Sequence, residues 1–228
     1  RSNGSLALYR VLAHKRAGGP AKRRRGKNAA EAEGEDASAS PSRAALLRNA
    51  GVAIECRPAD IDEDSLKARY RQAGRSAADV AASLAELKAQ GVGKNHPGRF
   101  VIGTDQMLQC GGAWFDKPAD LDHARGHLRA LRGKTHELFA AICVFRDEVC
   151  LWRHVECARM TMRPFSDDFL DAYIDAVGEA ACLSVGAYQL EGLGARLFSR
   201  IEGDYFTILG LPLLPLLAFL AGHGVVKS

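Results

Sequence analysis

Apolar and polar positions along this chain repeat with helical and strand periods, and the boundaries between them carry turn and cap residues. Ser40 stands as an N-cap before Pro41, where a first helical residue needs no N–H, and the apolar run Ala44, Ala45, Leu46 and Leu47 continues a helix to about Asn49. Val80, Leu84 and Leu87 share one face of a longer helix from about Ser76 to Gln90, with Ser76 and Asp79 spaced as N-cap and N3. Phe100-Val101-Ile102 predicts a short buried strand ending at Gly103-Thr104-Asp105-Gln106. Met107 to Trp114 predicts a hairpin with Gly111-Gly112 at its tip. Asp120 caps a helix whose face holds Ala124, Leu128 and Leu131 and which Gly133 closes. His136 to Met162 predicts two or three long strands turning near Arg146-Asp147-Glu148, and Ser166 starts a helix to about Val177. A strand near Tyr205 to Leu209 and a buried helix opening at Pro212 complete the chain. This mixture predicts an α/β protein built on a twisted mixed sheet flanked by helices, with no internal repeat.

The 228 residues can bury one substantial core, and 47% hydrophobic with 25% charged residues is ordinary for a globular protein. The net charge of +4 is unevenly placed, because residues 1–36 hold nine Lys/Arg and four Asp/Glu. That segment reads as a disordered or non-native basic extension to a domain spanning 37–228. A nucleic-acid arm is the competing reading of Lys22-Arg23-Arg24-Arg25-Gly26-Lys27, but few aromatic residues are interleaved with it, and no nucleic-acid partner is expected. Six cysteines without a Cys-x-x-Cys pair predict reduced core thiols of a cytoplasmic protein. The uncharged run Phe206 to Gly222 is broken by Pro212 and Pro215 and falls short of the about 20 residues of a spanning helix, so no membrane partner is expected.

Candidate chemistry gathers in five places. The helix start at Ser40 offers free N–H groups and a dipole to a phosphate, and Arg43 adds a fixed charge. Asp105 follows a buried strand, so its carboxylate is expected at a sheet edge, where α/β sites commonly lie. Lys88 lies late on the long helix, and Lys117 sits in Asp116-Lys117-Pro118. Asp62 and Glu63 offer hard oxygen ligands for Mg²⁺ or Mn²⁺. Gly186 to Gly192 carries Glu191 in a glycine-bounded segment. Each has an ordinary alternative when taken alone: a turn cap for Asp105, solvated lysines, an exposed acidic loop.

Read together and in order, eight segments resemble the Maf family of nucleoside triphosphate pyrophosphatases. They are SASPSRAALL (38–47), PADIDE (58–63), LAELKA (84–89), VIGTDQ (101–106), DKP (116–118), LRGKTH (131–136), GAYQLEG (186–192) and GLPL (210–213). The resemblance implies a two-lobed fold like that of inosine triphosphatases, with a central cleft. It implies hydrolysis of a nucleoside triphosphate to the monophosphate and pyrophosphate with a divalent cation. By position, Asp105 is the implied proton acceptor, Ser40, Arg43, Lys88 and Lys117 the implied triphosphate contacts, and Glu63 with Asp105 the implied metal ligands. A homodimer is compatible with the resemblance. A catalytically weak nucleotide-binding regulator of septum formation is the alternative from another class.

Ser42, Gln106 and Glu191 depart from the commonest family pattern and resemble the 7-methyl-GTP pyrophosphatase branch. A carboxylate can accept from both guanine N1–H and the exocyclic amino group, whereas an amide matches the donor–acceptor edge of uracil or thymine. One feature departs from the family altogether: Gly34-Glu35-Asp36 stand where an apolar first strand should enter the Ser-Pro loop. Leu6 to Ala13 is apolar enough to be that strand, but lies over 20 residues upstream.

Overall fold

The computed structural model describes residues 7–11 and 41–227. Seven strands form one sheet: β1 (Ala7–Val11), β2 (Ile54–Pro58), β3 (Val101–Cys110), β4 (Ala113–Phe115), β5 (Thr135–Arg146), β6 (Val149–Met162) and β7 (Phe198–Glu202). Their order is β2-β1-β3-β5-β6-β7, with β4 folded back onto β3. Helices α1 (Pro41–Asn49), α2 (Glu63–Gln72), α3 (Ala77–Gly93), α4 (Leu121–Leu131), α5 (Asp167–Val177), α6 (Tyr205–Ile208) and α7 (Leu213–Gly222) flank it. The helix-flanked α/β architecture is the expected one, but the sheet is not mixed: every strand pairing among the described residues is antiparallel. Tight reversals impose this on two of the pairings. Gly111 and Gly112 (φ 57° and 82°) turn β3 into β4, and Asp147 and Glu148 (φ 50° and 63°) turn β5 into β6. Two successive residues with positive φ make the turn whose twist suits a two-residue hairpin.

The short strand and the hairpin arm expected on either side of Asp105 are one continuous element. β3 runs ten residues through the middle of the sheet, and Asp105 pairs with Ala141 in its centre rather than emerging at an edge. The reason is hydrophobic continuity, since Val101, Ile102, Met107 and Leu108 are all buried and nothing between them breaks the ladder. Alternation along β3 then sorts its side chains. Val101 and Met107 share an apolar cluster with the buried face of α3, whereas Ile102 packs with Leu47 of α1 and Leu216 of α7. A further cluster joins Leu108, Leu128, Leu138, Leu170 and Ile174 at the opposite end of β3 and β5. Asp105 therefore sits between apolar masses, on the α3 side.

Gly103 sets how closely α3 approaches. A Cβ there would stand 2.0 Å from the Ala85 carbonyl oxygen and 2.8 Å from the Ala89 nitrogen, both backbone atoms of α3. Only glycine admits that contact.

Three segments differ from expectation. The acidic stretch at 60–64 opens α2, because Asp62 Oδ1 accepts from the Ser65 N–H at 3.1 Å and acidic residues suit a helix start. Tyr205–Ile208 is helical, not extended, since Asp204 Oδ1 caps it by accepting from the Thr207 N–H at 3.0 Å, with Gly210 (φ 88°) just beyond its end. Within the basic N-terminal extension, Ala7–Val11 is strand β1, paired with β2 on one side and β3 on the other. Its apolar run fills a slot whose backbone groups would otherwise lack partners. The extension is thus not wholly outside the fold, and a domain boundary at residue 37 leaves out one strand of the sheet. No helix among the described residues is long and apolar enough to cross a membrane.

Gly103→Ala is expected to lower unfolding free energy in urea by at least about 1–3 kcal/mol, the usual range for overpacking. An unchanged denaturation midpoint would mean that α3 can retreat from β3 freely.

Candidate active site

Lys88 projects from the buried face of α3 beneath a cleft and is wholly inaccessible. Its Nζ lies 2.6 Å from Asp105 Oδ1 and 3.0 Å from Glu63 Oε1, so one ammonium joins β3 to the first turn of α2. Both carboxylates are themselves buried. Burial is the largest influence on Glu63 and raises its pKa, the neighbouring Asp105 charge pushes the same way, and Lys88 only partly offsets them. Asp105 lines the cleft, and its Oδ2 has no hydrogen-bond partner among the described residues.

Cations face this pair. Arg43, in the first turn of α1, is buried and donates from one guanidinium nitrogen to Thr104 Oγ1 at 3.2 Å, while its Nε has no partner. Gly210 lies flat against the same guanidinium, and a Cβ there would stand 2.6 Å from Arg43 Nε. Lys117 is exposed on the cleft wall. Desolvation first, then the Arg43 and Lys88 charges, pull its pKa below the ordinary lysine value. Lys67 of α2 completes the group, donating to Asp116 Oδ1 at 2.6 Å. Desolvation alone would depress the Lys67 ammonium, but the Asp105 and Asp116 carboxylates together outweigh it and raise the pKa.

The same cleft is lined by Ser42, Gln106 and Glu191. Gln106 donates from Nε2 to the carbonyls of Thr207 and Ile208, both at 3.1 Å, so its amide is fixed by α6. Glu191 is exposed at the end of a segment anchored from below. The buried Tyr188 hydroxyl meets His136 Nε2 at 2.7 Å, and the Tyr173 hydroxyl donates to the Ala187 carbonyl at 3.2 Å. Ala187 itself holds the left-handed φ of 63°, uncommon for a residue with a side chain.

Asp105, Glu63, Arg43, Lys117, Ser42, Gln106 and Glu191 thus converge on one cleft, as the sequence motifs imply. Lys88 departs from expectation: it lies behind the carboxylates instead of facing the cleft, because burial forces its charge to pair. Asp62 is occupied as the α2 cap and does not join Glu63. Ser40 lies outside the described residues. Lys67, Thr104, His136 and Tyr188 were not anticipated, although Lys67 stands four residues after Glu63, one helical turn away.

Desolvation pushes His136 down to about 4, so it is neutral in the folded protein at physiological pH. The unfolded chain takes up this proton near pH 6.5 and the folded chain near 4, so stability is full above 6.5 and falls as pH drops between those values. The loss is about 3 kcal/mol at about 1.4 kcal/mol per pH unit. Urea unfolding at pH 7 and pH 4.5 is expected to show about two thirds of this loss in the parent chain and little of it in His136→Gln. Equal pH dependence of the two chains would refute it.

Comparison with known proteins places this geometry. A family described as Maf-like protein matches residues 37–223. A protein of Paramagnetospirillum magneticum named nucleoside triphosphate pyrophosphatase is 54% identical over 188 residues, covering 82% of this chain and 97% of its own length. A protein of Rhizobium meliloti named 7-methyl-GTP pyrophosphatase is 53% identical over 192 residues, 84% of this chain and 96% of its own length. One of Mesorhizobium japonicum with the same name is 52% identical over 192 residues, with the same two coverages. Since the matched span takes in the cleft residues from Ser42 to Glu191, the chain belongs to the Maf-like protein family.

Proposed function

We propose that this chain is a cytoplasmic nucleoside triphosphate pyrophosphatase, releasing a nucleoside monophosphate and pyrophosphate, with a preference for 7-methyl-GTP or a related modified purine nucleotide. The carrying observation is Asp105, with one oxygen pinned by Lys88 and the other without a partner, set in a cleft lined by Arg43 and Lys117. Pinning Oδ1 orients Oδ2 towards a water. That oxygen takes the water's proton as the water oxygen bonds to the α-phosphorus and the bond to the departing pyrophosphate breaks. Arg43 and Lys117 stabilise charge on the phosphoryl oxygens. Lys88 is then a positioning residue. A regulator without catalysis would not need a buried carboxylate oxygen left without a partner beside these cations.

A divalent cation fits the donor set. Two buried carboxylates lie side by side on one buried ammonium, and Asp105 Oδ2 is an orphaned acceptor. Among the described residues no three metal-ligating side chains gather, so phosphate and water would complete the coordination, the arrangement Mg²⁺ favours. Glu63 and Asp105 would hold the ion, which would supply positive charge to the phosphate oxygens.

Base preference rests on Glu191 and Ser42. A carboxylate accepts from both donors of the guanine edge, and N7 methylation adds a cationic ring that it also favours. Opposite a pyrimidine carbonyl the same carboxylate would lose a partner, at about 1–3 kcal/mol. Relatives at 53% and 52% identity carry the 7-methyl-GTP name, in keeping with this reading.

Turnover of 7-methyl-GTP, GTP, dTTP and UTP side by side, followed as pyrophosphate release, is the experiment. The expected order puts 7-methyl-GTP first, with Asp105→Asn losing at least about 100-fold, the low end for a general base. Faster dTTP or UTP hydrolysis would remove the base assignment, and retained turnover by Asp105→Asn would remove the catalytic one.

A further inference from the structure

Among the described residues, Lys67 is the one lysine lining the cleft that is paired with a carboxylate from another segment of the chain. It rises from the second turn of α2, with only 18% of its side chain exposed, and crosses to Asp116 Oδ1 at 2.6 Å. Asp116 immediately precedes Lys117 and is itself 53% exposed. Both lysines and Asp116 line the same cleft as Asp105 and Arg43. We propose that Lys67 is a triphosphate-binding residue held in place by Asp116, which surrenders it to a phosphate oxygen when nucleotide enters.

This rests on the nucleoside triphosphatase reading above and extends it to a residue that the family motifs do not include. Three features support it. A triphosphate carries about four negative charges at neutral pH; a divalent cation held by Glu63 and Asp105 beside Lys88 would leave about one net positive charge there, and Arg43 with Lys117 adds two, so part of the phosphate charge remains uncompensated. Lys88 cannot help directly, because it is inaccessible and committed to Glu63 and Asp105. Lys67 and Asp116 form an ion pair with one member well exposed, and such a pair is weak in the absence of other partners. A phosphate oxygen with delocalised double charge competes well with a single exposed carboxylate for the same ammonium. Asp116 then acts against nucleotide in two ways: it engages a needed cation, and it places a negative charge beside the phosphates.

A purely structural staple between α2 and the loop before α4 makes a different forecast from a phosphate contact. If the pair is a staple, removing either partner breaks the same bond, and both variants change in the same direction. If Lys67 binds phosphate, the two variants move KM in opposite directions. The experiment is steady-state pyrophosphate release from 7-methyl-GTP and GTP by the parent chain, Lys67→Gln, Lys67→Arg and Asp116→Asn, with thermal melting of each. Parent turnover is measured first and tests the nucleoside triphosphatase reading on its own. The expected result is a KM raised about tenfold in Lys67→Gln with kcat changed less than about threefold, consistent with losing one charge-assisted hydrogen bond. Asp116→Asn is expected to lower KM at least about twofold, and Lys67→Arg to stay within about threefold of the parent. An unchanged KM in Lys67→Gln, or a KM unchanged or raised in Asp116→Asn, overturns the proposal. If Lys67→Gln fails to fold, Asp116→Asn alone still decides it by the direction of its KM.

Discussion

One buried ammonium holds this site together. Lys88 has no access to solvent, yet it bonds Asp105 in the centre of β3 and Glu63 at the start of α2. A buried charge without partners is prohibitive, and so is a pair of buried carboxylates without a cation. Each therefore requires the others, and the three elements that carry them must meet at one point. The site geometry is a consequence of charge compensation beside an apolar cluster that holds Ala85, Ala89 and Met107: Lys88 makes the direct contacts to both carboxylates, while Lys67 and Lys117 act on them from the cleft.

That constraint explains features that look unrelated. Gly103 lets α3 press against β3, which is what brings Lys88 within bonding distance two residues further along the strand. Gly210 does the same for Arg43 on the opposite face of β3. Two glycines, one on each side of the sheet, thus set the positions of two buried cations. Around Gln106 and Glu191 the support is of another kind. Tyr188 and His136 form a buried polar contact that fixes the segment ending in Glu191, and Gln106 is spent in holding α6. The cation cluster and the Glu191 segment are built on different foundations, charge pairing for one and neutral hydrogen bonds for the other.

Much of this was legible in the residues. Cap residues placed α1, α3, α4 and α5 at Pro41, Ala77, Leu121 and Asp167, and glycine or aspartate turns placed both hairpins, because these are local rules that tertiary contacts seldom override. The cleft residues were found through the ordered motifs, not through spacing alone. What escaped was long-range. Asp105 was expected at a sheet edge because a short apolar run before it and a glycine pair after it look like two elements; only pairing with β5 makes them one strand. Lys88 was expected to face phosphate because helix position says nothing about what lies above the buried face. The acidic stretch concealed α2 and with it Lys67, since helix starts and exposed acidic loops share a composition. β1 was visible as an apolar run, but its place between β2 and β3 is a topological fact that no local pattern carries.

The dependence on Lys88 is open to a direct measurement: urea unfolding, in the presence of a chelator, of the parent chain, Lys88→Met and the double variant Lys88→Met/Glu63→Gln. Breaking a buried ion pair by removing one partner costs about 3–5 kcal/mol, so Lys88→Met is expected to lose that much. Neutralising Glu63 in addition is expected to restore more than half of it, because only one buried carboxylate then remains. A Lys88→Met chain within about 1 kcal/mol of the parent, or a double variant no more stable than the single one, would contradict the view that this ammonium is what the site is built around.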